Sequence, residues 1–89
     1  MFANILLELD QHGIKYEHVV DDESDSNEEF VLIDDTDLYI EAENYLNGVY
    51  YNITERGYGY LLGLVSENCM CKVVATIIDD YLGQSNGRV

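Results

Sequence analysis

Two alternating runs meet at Asn47-Gly48, and that junction constrains the fold of this chain more than any other feature. Before it, Leu38, Ile40 and Ala42 alternate with Tyr39, Glu41 and Glu43; after it, Val49, Tyr51 and Ile53 share one parity. Period-two patterning sends one set to a buried face and the other toward solvent. Asn-Gly suits a two-residue hairpin loop with positive φ at both positions. The expectation is an antiparallel hairpin with an acidic outer face.

The rest of the chain supplies layers for that hairpin. Phe2, Ile5, Leu6 and Leu9 recur at helical spacing, and Gly13 stands where a helix C′ residue would, predicting a helix over about 3–12. Residues 14–20 alternate (Ile14, Tyr16, His18 and Val20 against Lys15, Glu17 and Val19) and read as a strand. Residues 21–29 read as an exposed loop, and Phe30 to Ile33 is a compact apolar run stopped by Asp34-Asp35-Thr36. The glycines of Gly57-Tyr58-Gly59-Tyr60 and Gly63 predict a loop or irregular edge strand through Val65. Ser66 is a good N-cap for a final helix whose apolar stripe runs through Cys69, Met70, Val73, Val74, Ile77, Ile78, Tyr81 and Leu82. Gly83 should end it, leaving 84–89 as a flexible tail. The expected fold is α+β and two-layered: an N-terminal helix, a three- to four-stranded antiparallel sheet and a C-terminal helix, forming one domain over 1–83.

Charge narrows the function. The chain carries a formal net charge of −14 in 89 residues, where small soluble domains usually have a magnitude of about 2–8. Yet 47% of it is hydrophobic, with eight Tyr and two Phe, which is too apolar for a disordered acidic tail. The acids are also one-sided. Glu17 to Glu43 holds 12 carboxylates and no Lys or Arg, and 16–55 holds 13 with none. Direct nucleic-acid binding needs cations that displace counterions from phosphates, so it is excluded, and anionic membrane surfaces are excluded by the same sign. The implied partner is positively charged, either a basic protein surface or metal cations.

The sequence nominates no chemistry. Asp21, Glu23 and Asp25 have the 1-3-5 spacing of an EF-hand start, but Ser26 stands where Gly is required and Leu32 where a bidentate Glu belongs. Cys69 and Cys71 lie far in sequence from His12 and His18, so zinc has no converging ligand set; Cys69 reads as a small packed hydrophobe and Cys71 as the more exposed of the two. Nothing nominates a base for a cysteine nucleophile. His18 reads as a satisfied, partly buried histidine on the inner face of the first strand. Gly57-Tyr58-Gly59-Tyr60 lacks the spacing of a phosphate-binding loop. No enzyme, metal or cofactor is expected. The start of the chain, MFANILLELDQ, lacks the basic and apolar regions of a signal peptide, and no apolar run could span a bilayer. A cytoplasmic protein is expected, in which the glycosylation-like Asn52-Ile53-Thr54 arises by chance.

Carboxylates mounted on a strand recur about every 6.6 Å along one face, a spacing suited to imitating a row of phosphates. In ILLELDQHGIKYEHVVDDESDSNEEF and the acidic hairpin DDTDLYIEAENYLNGVYYNI, the chain resembles the small acidic inhibitors encoded by phages and mobile elements, above all anti-CRISPR proteins and other DNA mimics. The likeness is one of size, charge and element order. It implies a stoichiometric inhibitor, acting in a host cytoplasm, that blocks the DNA site of a CRISPR effector or another nucleic-acid-binding defence protein. An acidic immunity or antitoxin-like partner for a basic toxin or enzyme is the alternative. The expected contact residues are Glu28, Glu29, Asp34, Asp35, Asp37, Glu41 and Glu43, with Asp21, Asp22, Glu23 and Asp25 contributing from the loop. Tyr39 would serve as an aromatic anchor.

Overall fold

A computed structural model describes residues 2–21 and 28–86, with the backbone alone described at 21, 28 and 84–86. Helix α1 (Ala3–Gln11) is followed by five strands, β1 (Tyr16–Asp21), β2 (Glu28–Ile33), β3 (Leu38–Tyr45), β4 (Gly48–Glu55) and β5 (Gly59–Val65), and by helix α2 (Glu67–Asn86). The strands form one antiparallel meander in sequence order, and the architecture is α+β.

The first helix ends as its sequence dictates. Gly13 adopts φ 69°, its N–H bonds to the Asp10 carbonyl at 3.1 Å, and the Ile14 N–H bonds to the Leu9 carbonyl at 2.9 Å. That is a Schellman cap, and Leu9 and Ile14 meet in the core beneath it. The second helix starts on Ser66, whose hydroxyl accepts from the Cys69 N–H at 3.3 Å. Glu67, one residue on, accepts from the Asn4 N–H at 3.3 Å, so its carboxylate also caps the first turn of α1.

One face of the sheet carries both helices. Phe2, Ile5 and Leu9 of the first helical segment and Met70, Val74 and Ile78 of α2 close over Val31 and Ile33 of β2, Leu38 and Ile40 of β3, and Tyr51 and Ile53 of β4. Burying an aliphatic or aromatic side chain of this size contributes about 1.5–3 kcal/mol before chain entropy is charged. The Phe2 ring meets Tyr51 edge-on at 5.3 Å.

Five points correct the sequence reading. The sheet has five strands rather than three or four, because Phe30 to Ile33 belongs to β2. Its run shows no alternation because Val31 and Ile33 are buried under the helices while Phe30 and Leu32 are half-buried on the other face. The first strand begins at Tyr16, since Ile14 is committed to the helix cap. The predicted loop over 21–29 is shorter, because Asp21 and Glu28 pair as the last residues of β1 and β2. At the hairpin, Tyr45 pairs with Gly48, so the loop is Leu46-Asn47, and of Asn47 and Gly48 only the glycine has positive φ, at 141°. Finally, α2 runs through Gly83 to Asn86; the rest of the predicted tail, 87–89, lies outside the described residues.

Candidate protein-binding face

The side of the sheet away from the helices is set by register. Glu17 of β1 stands opposite Leu32 of β2, Leu32 opposite Tyr39 of β3, Tyr39 opposite Thr54 of β4, and Thr54 opposite Tyr60 of β5. The next row is Val19, Phe30, Glu41 and Asn52. Glu43 then faces Tyr50. Carboxylates and aromatic rings therefore share a pleated surface with Leu32, Val19, Asn52 and Thr54, on the side away from the two described helices.

The predicted contact residues distribute over several places. Tyr39, Glu41 and Glu43 lie on this face and are half-buried. Asp34, Asp35 and Asp37 are exposed in the turn joining β2 to β3. That turn is well tied. The Thr36 hydroxyl donates to the Ile33 carbonyl at 2.9 Å and accepts from the Leu38 N–H at 3.0 Å. The Asp34 N–H bonds to the Lys15 carbonyl at 3.0 Å, and the Asp37 carbonyl accepts from the Arg56 N–H at 2.9 Å. Asp35 holds φ 60°, a left-handed geometry that Asp tolerates better than most residues.

Glu29 does not join them. It shares strand parity with Val31, so it lies on the helix side, where its Oε1 is 3.0 Å from His18 Nε2. His18 is on that same side, as expected, with its side chain one-third exposed and its ring 5.8 Å from that of Phe2. Asp21 and Glu28 pair across the end of β1 and β2, while Asp22, Glu23 and Asp25 lie outside the described residues.

Glu43 is held by two side-chain hydrogen bonds. Its Oε2 accepts from Asn52 Nδ2 at 3.1 Å, its Oε1 accepts from the Tyr45 hydroxyl at 3.2 Å, and Asn52 Oδ1 in turn accepts from the Thr54 hydroxyl at 2.7 Å. Asn52 is 1% exposed and Thr54 8% exposed. Buried polar groups linked this way hold one geometry, and the carboxylate at the end of the chain needs little ordering when a cation arrives. The Tyr45 hydroxyl is held above its ordinary pKa by partial burial first and then by its bond to Glu43. Asn52 sits too deep, with both side-chain atoms committed, to serve as a glycosylation acceptor.

Several residues of this face were not among the expected contact residues: Glu17, Phe30, Leu32, Tyr45, Tyr50 and Tyr60. Glu17 shares parity with Val19 and was visible in principle. The aromatic residues were hidden because an alternating strand advertises its buried side, and large apolar groups on the second side look like noise. The cysteines also exchange roles. Cys69 is exposed, whereas Cys71 packs against the core rim, where burial first, then Glu67 and Glu8, push its thiol pKa up. An i, i+4 stripe through Met70, Val74 and Ile78 puts position 71 beside the core and 69 on its far flank.

Among the described residues no helix is long and apolar enough to cross a membrane. No family model, no curated protein and no solved structure matches the chain.

Proposed function

We propose that this chain is a stoichiometric binding protein whose helix-free sheet face and Asp34–Asp37 turn engage a Lys- and Arg-lined protein surface. In the fuller reading it is an inhibitor that occupies the phosphate-binding groove of a nucleic-acid-binding effector, such as a CRISPR nuclease. The observation that carries this reading is a rigid pleated face on which Glu17, Glu41 and Glu43 stand among Phe30, Tyr39 and Tyr50. Carboxylates attract and orient guanidinium and ammonium groups, and aromatic faces stack on guanidinium planes. A merely solubilising surface has no use for half-buried aromatic side chains or for a carboxylate held by two hydrogen bonds.

The apolar share of this face also supports the alternative, an acidic immunity or antitoxin-like partner. Phosphate mimicry alone asks for charge, whereas a protein interface also asks for aromatic anchors near its centre. Both readings require fast, salt-sensitive association.

The test uses the immobilised chain to capture proteins from a host lysate, followed by affinity measurements on the purified captured protein. Reversal of Asp34, Asp37 and Glu41 to Lys should weaken binding by about a hundredfold or more, because like charges then face a basic surface. Asp35 is left intact, since Lys at φ 60° would add backbone strain. The control is reversal of exposed Asp79 and Asp80 on α2, which should matter much less; Glu67 is unsuitable as a control because it caps α1. Loss of binding in the control with none in the first set would move the working face to α2. Competition by DNA for the captured protein separates the two readings. Displacement supports the phosphate mimic, and its absence supports the immunity-like partner.

A further inference from the structure

Among the described residues, β1 and β5 are the edge strands of the sheet, and they are guarded differently. β1 carries Glu17 and Asp21, and charge is a common means of keeping an unpaired edge from recruiting another strand. β5 has no such guard: Gly57 to Ser66 contains no charged residue and no proline. Tyr58 and Tyr60 are 84% and 62% exposed, and Leu61 and Leu64 are each 43% exposed. Tyr45, at the end of β3, is also exposed, at 48%, and its ring meets that of Tyr50 edge-on at 5.7 Å. Contiguous exposed apolar surface of this kind marks an interaction site.

We propose that the β5 edge is a self-association surface, on which a second copy of this chain docks edge to edge about a two-fold axis. Charge selects the occupant. The segment 16–55 holds 13 of the 18 carboxylates, so two copies repel wherever β1 to β4 and their turns face each other. Contact through 57–66 is the approach that keeps those segments apart. A cationic strand from another protein is drawn to the acidic face instead and finds no opposite charge along this edge. Two identical strands running antiparallel are also self-complementary in their donors and acceptors, as an isologous contact requires. The register shifts between β4 and β5 bend the strand, so Tyr58, Tyr60, Leu61 and Leu64 supply much of the contact and the ladder the remainder.

Self-association and partner binding respond to salt with opposite sign. Between low salt, with a Debye length of about 30 Å, and physiological salt, at about 8 Å, the repulsion between two copies of charge −14 is screened. The dimer should therefore tighten severalfold as salt rises, while acid-driven partner binding weakens. Sedimentation velocity of the full chain, over several decades of concentration at both salts, reads the effect directly. The expected result is a concentration-dependent shift from monomer to dimer mass, stronger in salt. Leu61→Glu and Leu64→Glu, each at an exposed site, should return the chain to monomer, with unchanged circular dichroism and with the melting temperature that the parent chain shows when dilute enough to be monomeric. A monomer at every concentration and salt overturns the proposal. So does a dimer that survives both substitutions, or one that weakens with salt. None of these outcomes bears on the acidic face, whose test is the charge reversal on β3 and its preceding turn.

Discussion

Ile53 and Asn52 are neighbours in β4 and both are buried, yet they are buried by different physics. Ile53 points under the helices into an apolar cluster with Ile40, Val31 and Leu38. Asn52 points to the helix-free face, where it bonds to Glu43 and to Thr54. One face of the sheet is stabilised by removing hydrocarbon from water, and the other is ordered by a short polar chain framed by aromatic and acidic side chains. The two sides of one sheet thus divide the work: the covered side holds the fold, and the open side holds a carboxylate in position.

Several substitutions would sharpen or break that division. The largest effect belongs to the covered side. Ile53→Ala removes a fully buried side chain and should cost about 2–5 kcal/mol, which chemical denaturation will report as a lower midpoint at unchanged slope. Its neighbour should cost less. Asn52→Ala removes the bonds to Glu43 and Thr54 for about 1–3 kcal/mol and should also weaken partner binding, because the Glu43 carboxylate loses its orientation. Equal costs at the two positions, or an Asn52→Ala protein that binds its partner normally, would break the division.

The smallest effect is confined to alkaline pH. Tyr51, on the covered side and 2% exposed, has its hydroxyl pKa pushed up from 10.0 to about 12, by burial first and then by the charges of Glu67 and Glu29. The unfolded chain gives up this proton earlier than the folded one, so between those two values the unfolded state binds fewer protons. Stability contributed by the neutral hydroxyl is intact below pH 10 and falls as the pH rises toward 12. Denaturation midpoints measured across that window should decline less steeply in Tyr51→Phe than in the parent chain. An identical decline in both would mean that the covered side does not desolvate this hydroxyl.

What could be read without coordinates is what neighbouring residues decide among themselves. The Schellman stop at Gly13, the Ser66 cap, the apolar stripe of α2 (read broadly enough to take in Cys69 and Val73, which are exposed), and the parity of β3 and β4 all depend on spacings of a few residues, and the α+β class follows from their order. Tyr39, Glu41 and Glu43 were placeable on the outer face for the same reason. Tertiary structure decided the remainder. Phe30 and Leu32 show no alternation until a second surface half-buries them, which is why β2 was not resolved as a strand. Glu29 lies on the helix side because β2 keeps the parity that buries Val31 and Ile33, and an apolar run of four gives no parity of its own. The exchange of Cys69 and Cys71 depends on which flank of the broad α2 stripe the folded core covers. Asn52 looked like one polar residue among many until Glu43 and Thr54, brought within reach by the pairing of β3 with β4 and by the pleat of β4, committed both ends of its amide. Local rules select elements because their energies act over a turn or a strand step, whereas faces, edges and partners are set by residues that meet only after the chain has folded.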